Sequence, residues 1–413
     1  MPPPLNAPLG LIDKTYEKPK VIQAMPLAPW PCYTQEEIDA VTAVISSGKV
    51  NYWTGNQSRQ FEIDFAMWSG SQKAVALSNG TLALDLALVA LGIGPGDEVV
   101  VTPRTFIASV SCVVNAGATP VFADVDIDSG NISPETIEPV LTQRTRAIIP
   151  VHLAGWPCDM NGIMALANQR GLSVIEDCAQ AHGAKIDEKS VGTFGHVGAW
   201  SFCQDKIMTT GGEGGMVTTD DDALWSRMWS FKDHGKDWNA VYSGAHPPGF
   251  RWLHESFGTN WRMLEVQAAI GLVQLRRMDE WTKQRKHNAA AVRKMLSNFQ
   301  DAIRTPEPDS SFTHAYYRQY AYVRPTGLRA GWDRDRIVAE ANARGAALFQ
   351  GSCSEVYREK AFDGTPWRPS SPLPTAKELG ETSLMFLTHP TISDDQRESM
   401  TDTIAEVLAM ASK

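Results

Sequence analysis

The chain has 413 residues, of which 43% are hydrophobic and 21% charged, with a net charge of -9. Such a length and composition fit one large buried core with a smaller appended unit, and exclude a disordered or fibrous protein. The negative balance offers no general attraction to phosphate backbones, so nucleic acid is not an expected partner.

The opening stretch, "MPPPLNAPLGLIDKTYEKPK", has neither a basic start nor an apolar run of leader type. Residues 1–33, rich in proline, read as an arm draped over a body. The most apolar helix-like stretch, "TLALDLALVALG", is interrupted by Asp85 and too short to span a bilayer. Six cysteines without a C-x-x-C pair suit free thiols in a reducing compartment, so the cytoplasm is expected and a zinc site is not.

From Thr34 the pattern becomes regular. "TQEEIDAVTAVISSG" has a Thr cap, an acidic first turn, apolar spacing near 3.6 and a Gly stop, the marks of a helix; "QSRQFEIDFAMWSG" predicts another. Strand and helix patterns then alternate through "KAVALS", "NGTLALDLALVALG", "DEVVVTP", "TFIASVSCVVNAG", "TPVFADVD", "SPETIEPVLT", "RAIIPVHLAG", "NGIMALANQRG" and "LSVIED". Short Val/Ile runs between amphipathic helices predict β-α-β units and an α/β fold with a mainly parallel sheet buried on both faces. "HVGAWSFCQDK" and "GGMVTTDD" lack an intervening helix and predict an antiparallel addition. "VQLRRMDEWTKQRKHNAAAVRKML" reads as one long helix leaving the first unit. Residues 34–285 are therefore the expected large domain, and 286–413 a smaller α+β domain.

Ligands of open parallel sheets bind beyond the carboxyl ends of the strands, and three segments meet that condition. In "LSNGTLAL" a strand ends at Leu77 and a helix opens at Gly80 and Thr81, where free amides suit a phosphate. In "VIEDCAQAHG" a buried strand ends on Glu176 and Asp177, with Gln180 and His182 following. In "SFCQDKIMTTGGEGGM" Lys206 follows a strand and precedes a glycine-rich turn. Each feature alone is ordinary: a turn glycine, a capping carboxylate, a solvated lysine. Together they meet the needs of pyridoxal phosphate: donors for its phosphate, an amine for its aldehyde, and a buried anion that keeps the pyridine nitrogen protonated. Asp177 takes the last role, while Glu176 is expected to turn away into a structural contact.

The same segments, with "TRAIIPVHLAGWPCDM" and "NWRMLEVQAAIGLVQLRRMDEW" in this order and spacing, resemble the DegT/DnrJ/StrS sugar aminotransferase family within the fold type I pyridoxal phosphate enzymes, over roughly residues 30 to 410. The resemblance implies Lys206 and Asp177 as catalytic residues, Gln180 near the ring oxygen and Phe106 stacked on the ring, its other face in the core. It also implies Gly80, Thr81 and Ser201 as phosphate contacts, Asn260 as a residue supplied by a neighbouring subunit of a homodimer, and Thr54 and Gly55 as substrate-side contacts. L-glutamate is the implied amino donor, and a nucleotide-linked keto-deoxysugar the implied acceptor. Two alternatives stand beside it. Sugar dehydratases of this fold resemble a version with His for the lysine, which Lys206 opposes, and a non-catalytic regulator would gain from an attached basic module, which is not seen. Ile207 after the lysine and the extra glycine of "TTGGEGG" depart from the common family pattern.

Other features receive plain readings. The run Arg276, Arg277, Lys283, Arg285 and Lys286, mixed with Asp279 and Glu280, reads as a solvated helix face. His152 and His389 read as packed or hydrogen-bonded; Trp53 is the tryptophan best placed for stacking on a sugar, although each tryptophan alone is more often core.

Overall fold

A computed structural model describes residues 23–413 except 245 and 247. The first 22 residues of the expected arm thus lie outside the described residues. In the part from Gln23 on, the Ala24 amide donates to the Arg344 carbonyl at 2.7 Å and its side chain joins the core of the smaller unit.

The chain then runs α1 (Gln35–Ser47), α2 (Gln57–Ser69), β1 (Lys73–Leu77), α3 (Gly80–Leu91), β2 (Glu98–Val101), α4 (Ala108–Asn115), β3 (Thr119–Phe122), α5 (Pro134–Ile137), β4 (Thr145–Ile149), α6 (Met160–Arg170) and β5 (Ser173–Asp177). A short hairpin, β6 (Lys185–Ile186) and β7 (Lys189–Ser190), precedes β8 (Val197–Ser201) and β9 (Gly215–Thr219). The seven-stranded sheet has the order β1-β9-β8-β5-β4-β2-β3. β9 runs antiparallel to both neighbours, as the missing crossover helix predicts, and the other pairings are parallel. β2, β4 and β5 are almost wholly buried because helices cover both faces of the sheet.

α7 (Asp222–Phe231) and α8 (Trp238–Tyr242) follow, then α9 (Glu265–Leu275) and α10 (Met278–Leu296). The single long helix expected here is therefore two. Arg276 and Arg277 break it by turning to α1, where Arg277 donates to Glu37 Oε1 and Glu36 Oε2, each at 2.8 Å, and Arg276 pairs with Glu36. The solvated reading of the basic run also fails at Arg285, which is fully buried.

The smaller unit holds β10 (Ile303–Arg304), β11 (Phe312–Thr313), β12 (Arg318–Val323), α11 (Arg334–Ala343), β13 (Leu348–Phe349), α12 (Pro374–Thr382), β14 (Ser383–Leu387) and α13 (Asp394–Ala411). Its sheet, β10-β12-β14-β13, packs on α11 and α13 through Leu384, Phe386, Ile337 and Ile404, while β11 pairs with β6 of the large unit. The expected boundary at 285/286 falls inside α10: Met278 packs into the large unit and Val292 into the small one. Among the described residues no helix is long and apolar enough to cross a membrane.

Candidate active site

Parallel strands deliver their carboxyl ends to one edge of the sheet, and a cavity of about 710 Å³ opens there. Gly80, Thr81, Phe106, Asp177, Gln180, Ser201 and Lys206 all line it.

α3 begins at this edge. The Asn79 side chain accepts the Leu82 amide at 3.0 Å, and the amides of Gly80 and Thr81 belong to the first turn, which has no preceding helical carbonyls to accept them. Gly80 is required by packing: a Cβ on it would lie 2.5 Å from Ser201 Cβ. The helix start is thereby pressed against the end of β8, a cradle that any larger residue would fill.

β5 ends on two carboxylates with opposite fates. Glu176 is fully buried and turns away, as expected: Oε1 accepts the amides of Phe194 and Gly195 at 2.8 and 2.7 Å, and Oε2 accepts Gly192 at 2.8 Å beside His152 Nε2 at 3.1 Å. Asp177 sits in the cavity wall, where Oδ2 accepts the Ser109 hydroxyl at 2.7 Å and Oδ1 the Ala179 amide at 3.1 Å. Gln180 is fixed by accepting the Ala154 amide at 2.7 Å.

Lys206 lies in the turn after β8. Among the described residues its Nζ makes no ion pair or hydrogen bond; it sits 5.4 Å from the centre of the Tyr317 ring. The preceding Asp205 accepts the Tyr317 hydroxyl. Burial would raise its carboxyl, yet Lys206, Tyr317 and Arg318 outweigh burial and hold it below the usual range.

Several expectations meet differences. Phe106 is 69% exposed, so it lines the cavity without a face in the core. Trp53 stacks edge-on against Tyr52 and Trp229 with Lys236 over its ring, and lines no cavity wall beside Lys206. Thr54 and Gly55 line a separate cavity of about 590 Å³ beside α1, with Glu265 also in its wall. Asn260 is exposed, its Oδ1 turned to the Arg262 amide at 3.5 Å. His152 is hydrogen-bonded to Glu176 and accepts the Cys158 amide at 3.0 Å, while His389 pairs with Thr391 at 2.8 Å, as their packed reading requires. Sequence reasoning missed Ser109, Asp205, Tyr317 and Arg318 in the wall. Only the adjacency of Asp205 to Lys206 could have signalled any of them.

The set fits pyridoxal phosphate on structural grounds. The cradle under Gly80 leaves first-turn amides at the cavity, Asp177 is an oriented carboxylate in its wall, and Lys206 presents an amine to it without a carboxylate partner.

Comparison with known proteins agrees. The family model described as "DegT/DnrJ/EryC1/StrS aminotransferase family" matches residues 31–405. A solved aminotransferase from Psychrobacter cryohalolentis is 58% identical, covering 93% of this chain and 99% of that one, with a TM-score of 0.92. GDP-perosamine synthase of Escherichia coli O157:H7 is 35% identical, covering 89% of this chain and 94% of its own. The UDP-N-acetyl-3-dehydro-alpha-D-glucosamine 3-aminotransferase of Acidithiobacillus ferrooxidans is 36% identical over 83% and 86%. The fold is that of the pyridoxal phosphate-dependent aminotransferases, and this chain belongs to the DegT/DnrJ/EryC1/StrS aminotransferase family, with pyridoxal phosphate as its cofactor.

Proposed function

We propose that the protein transfers an amino group from L-glutamate to a nucleotide-linked keto-deoxysugar, in the making of a polysaccharide or a glycosylated metabolite. The observation that carries this reading is the convergence of Lys206, Asp177 and the Gly80–Thr81 amides on one cavity of about 710 Å³. That volume lies in the upper part of the range for small-ligand sites, with space for a second ligand beside the cofactor. Two relatives named for work on nucleotide sugars support the acceptor class.

Bound pyridoxal phosphate supplies the electron sink that makes the donor's Cα proton acidic. In this reading Lys206 Nζ would hold the cofactor and, when its amine is free, would carry that proton as a general base. Asp177, oriented by Ser109 and the Ala179 amide, holds the proton on the pyridine nitrogen. Gly80, Thr81 and Ser201 take the phosphate, Gln180 the ring oxygen, and Phe106 one ring face.

We also infer a homodimer. Asn260, Thr54 and Gly55 do not line the main cavity of their own chain, and a second copy would bring them to it. Trp252, Phe250 and Phe257, at 85%, 76% and 100% exposure, form apolar surface near Asn260 in sequence that such a partner would cover. The cytoplasm suits the six free cysteines.

The test is spectroscopic. The purified protein should be yellow, lose its visible absorbance with L-glutamate, and regain it with a keto nucleotide sugar. Lys206→Ala should abolish both the visible band and turnover. A colourless wild type that glutamate leaves unchanged would return the regulator reading, and one that deoxygenates the sugar would return the dehydratase. A chain that sediments as a monomer under assay conditions would remove the dimer.

A further inference from the structure

Tyr317, the residue before β12, carries two cations from different parts of the chain. Lys206 Nζ lies 5.4 Å from the centre of its ring, and the guanidinium carbon of Arg318 lies 4.1 Å from it. Both side chains also line the main cavity. Arg318 belongs to the smaller unit, so that unit presents a guanidinium to the same cavity as the amine.

That guanidinium is incompletely used. Nη1 donates to the Tyr317 carbonyl at 3.0 Å. Nη2 is 3.7 Å from Asp205 Oδ2, beyond hydrogen-bond range, while Asp205 is engaged by the Tyr317 hydroxyl. The Arg318 side chain is 12% exposed, so much of its hydration is already lost. Behind it Arg285 is fully buried with no hydrogen-bond partner on any guanidinium nitrogen. Burial first, and the charge of Arg318 second, lower its pKa to about 9. The cavity lining thus holds Lys206 and Arg318, with the buried Arg285 close to Arg318, beside the carboxylates of Asp177, Asp205 and Glu213, of which Asp177 and Asp205 already accept hydroxyl hydrogen bonds. A partly desolvated guanidinium fork in such a field fits a carboxylate in bidentate fashion.

We propose that Arg318 is the specificity-determining residue for the amino donor, binding a carboxylate of the amino acid whose nitrogen replaces Lys206 Nζ. The inference rests on the aminotransferase reading above. An amino acid seated with its nitrogen at the lysine carries its carboxylate only a few ångströms away, and Arg318 shares an aromatic ring with that lysine. The start of α3 would take the phosphate of the cofactor, which would leave this guanidinium free.

The experiment uses the holoenzyme. Loss of visible absorbance is followed against L-glutamate concentration, and glutarate, which has the carboxylates without the amine, is titrated calorimetrically. Arg318→Gln should raise the half-saturating glutamate concentration and weaken glutarate binding roughly 10- to 100-fold, the scale of one charge-assisted pair. Arg318→Lys should recover part of the loss, since it restores the charge without the fork. The half-saturating concentration of the keto sugar in the second half-reaction should stay the same. Unchanged glutamate saturation and glutarate affinity in Arg318→Gln would overturn the inference, and so would a loss confined to the acceptor. A wild type that glutamate does not bleach would instead sink the functional reading, and the glutarate titration would still judge Arg318.

Discussion

The Trp30 indole Nε1 donates to the backbone carbonyl of Lys206 at 2.9 Å. The same ring lies 5.0 Å from the Arg285 guanidinium, edge-on to Trp281 at 5.1 Å and stacked on His389 at 6.2 Å. The arm holding it is tied to the smaller unit, where Thr391 Oγ1 donates to the Pro29 carbonyl at 3.0 Å. The arm is thus a strap whose tryptophan clasps the turn that presents the lysine. Trp30→Phe keeps the ring and deletes one donor, and should cost about 1 kcal/mol of stability. It should lower kcat several-fold without moving the glutamate half-saturation. Trp30→Ala also removes the stack over Arg285 and should cost about 3 kcal/mol by urea unfolding.

Glu176, itself fully buried, joins β5 to the 192–195 loop through three backbone amides, that of Gly192 buried and those of Phe194 and Gly195 partly so. Glu176→Ala would leave those donors without acceptors and should destabilise the fold by about 3 kcal/mol or more. Glu176→Gln, which keeps an acceptor, should cost less. Urea midpoints of the two variants check the order.

Asp177 and Ser109 separate charge from orientation. Asp177→Asn keeps the shape of the wall but removes the charge, and should reduce turnover by roughly a hundredfold, as loss of a preorganised electrostatic group does. Ser109→Ala removes one hydrogen bond to a retained carboxylate and should reduce turnover roughly tenfold. Equal losses in steady-state kcat would mean that Ser109 does more than orient.

Three buried histidines set a pH dependence of stability. Burial lowers His182, His314 and His389 to about 3, helped by Lys206 and Arg285 at His182, by Arg293 at His314, and by Arg285 and Arg318 at His389. The unfolded chain takes up their protons near the ordinary histidine value, about 6.5, while the folded chain stays neutral until near 3. Stability is therefore full above pH 6.5 and is lost as pH falls from there toward 3. The slope is on the order of 1.4 kcal/mol per pH unit for each histidine. Urea unfolding at pH 7 and pH 5 should show the loss. His182→Phe, between the rings of Trp200 and Phe202, should make that slope shallower.

What could be read along the chain is what short stretches decide locally. The alternation of buried runs and amphipathic helices placed β1 to β5, and the missing helix before "GGMVTTDD" announced the reversed β9. Since parallel strands finish at one edge, Leu77, Asp177 and Ser201 had to bring their following residues together, and Lys206 with them. Composition, by contrast, misjudged Arg285: a basic run looks solvated whether or not a tryptophan from 255 residues earlier covers one member. The core face expected of Phe106 was misjudged likewise, since exposure depends on what packs against a ring.

The amino-acid order alone settled the α/β architecture, the strand ends and the chemical set of amine, carboxylate and amides, because period-2 and period-3.6 burial and the direction of parallel strands follow from neighbouring residues. Only the tertiary structure decided that Arg318 and Lys206 both lie against the Tyr317 ring, that Trp30 clasps the lysine turn, and that Thr54 and Gly55 open onto a different cavity. Those outcomes depend on desolvation and charge among residues distant in the chain, and such energies exist only once the two units have packed together.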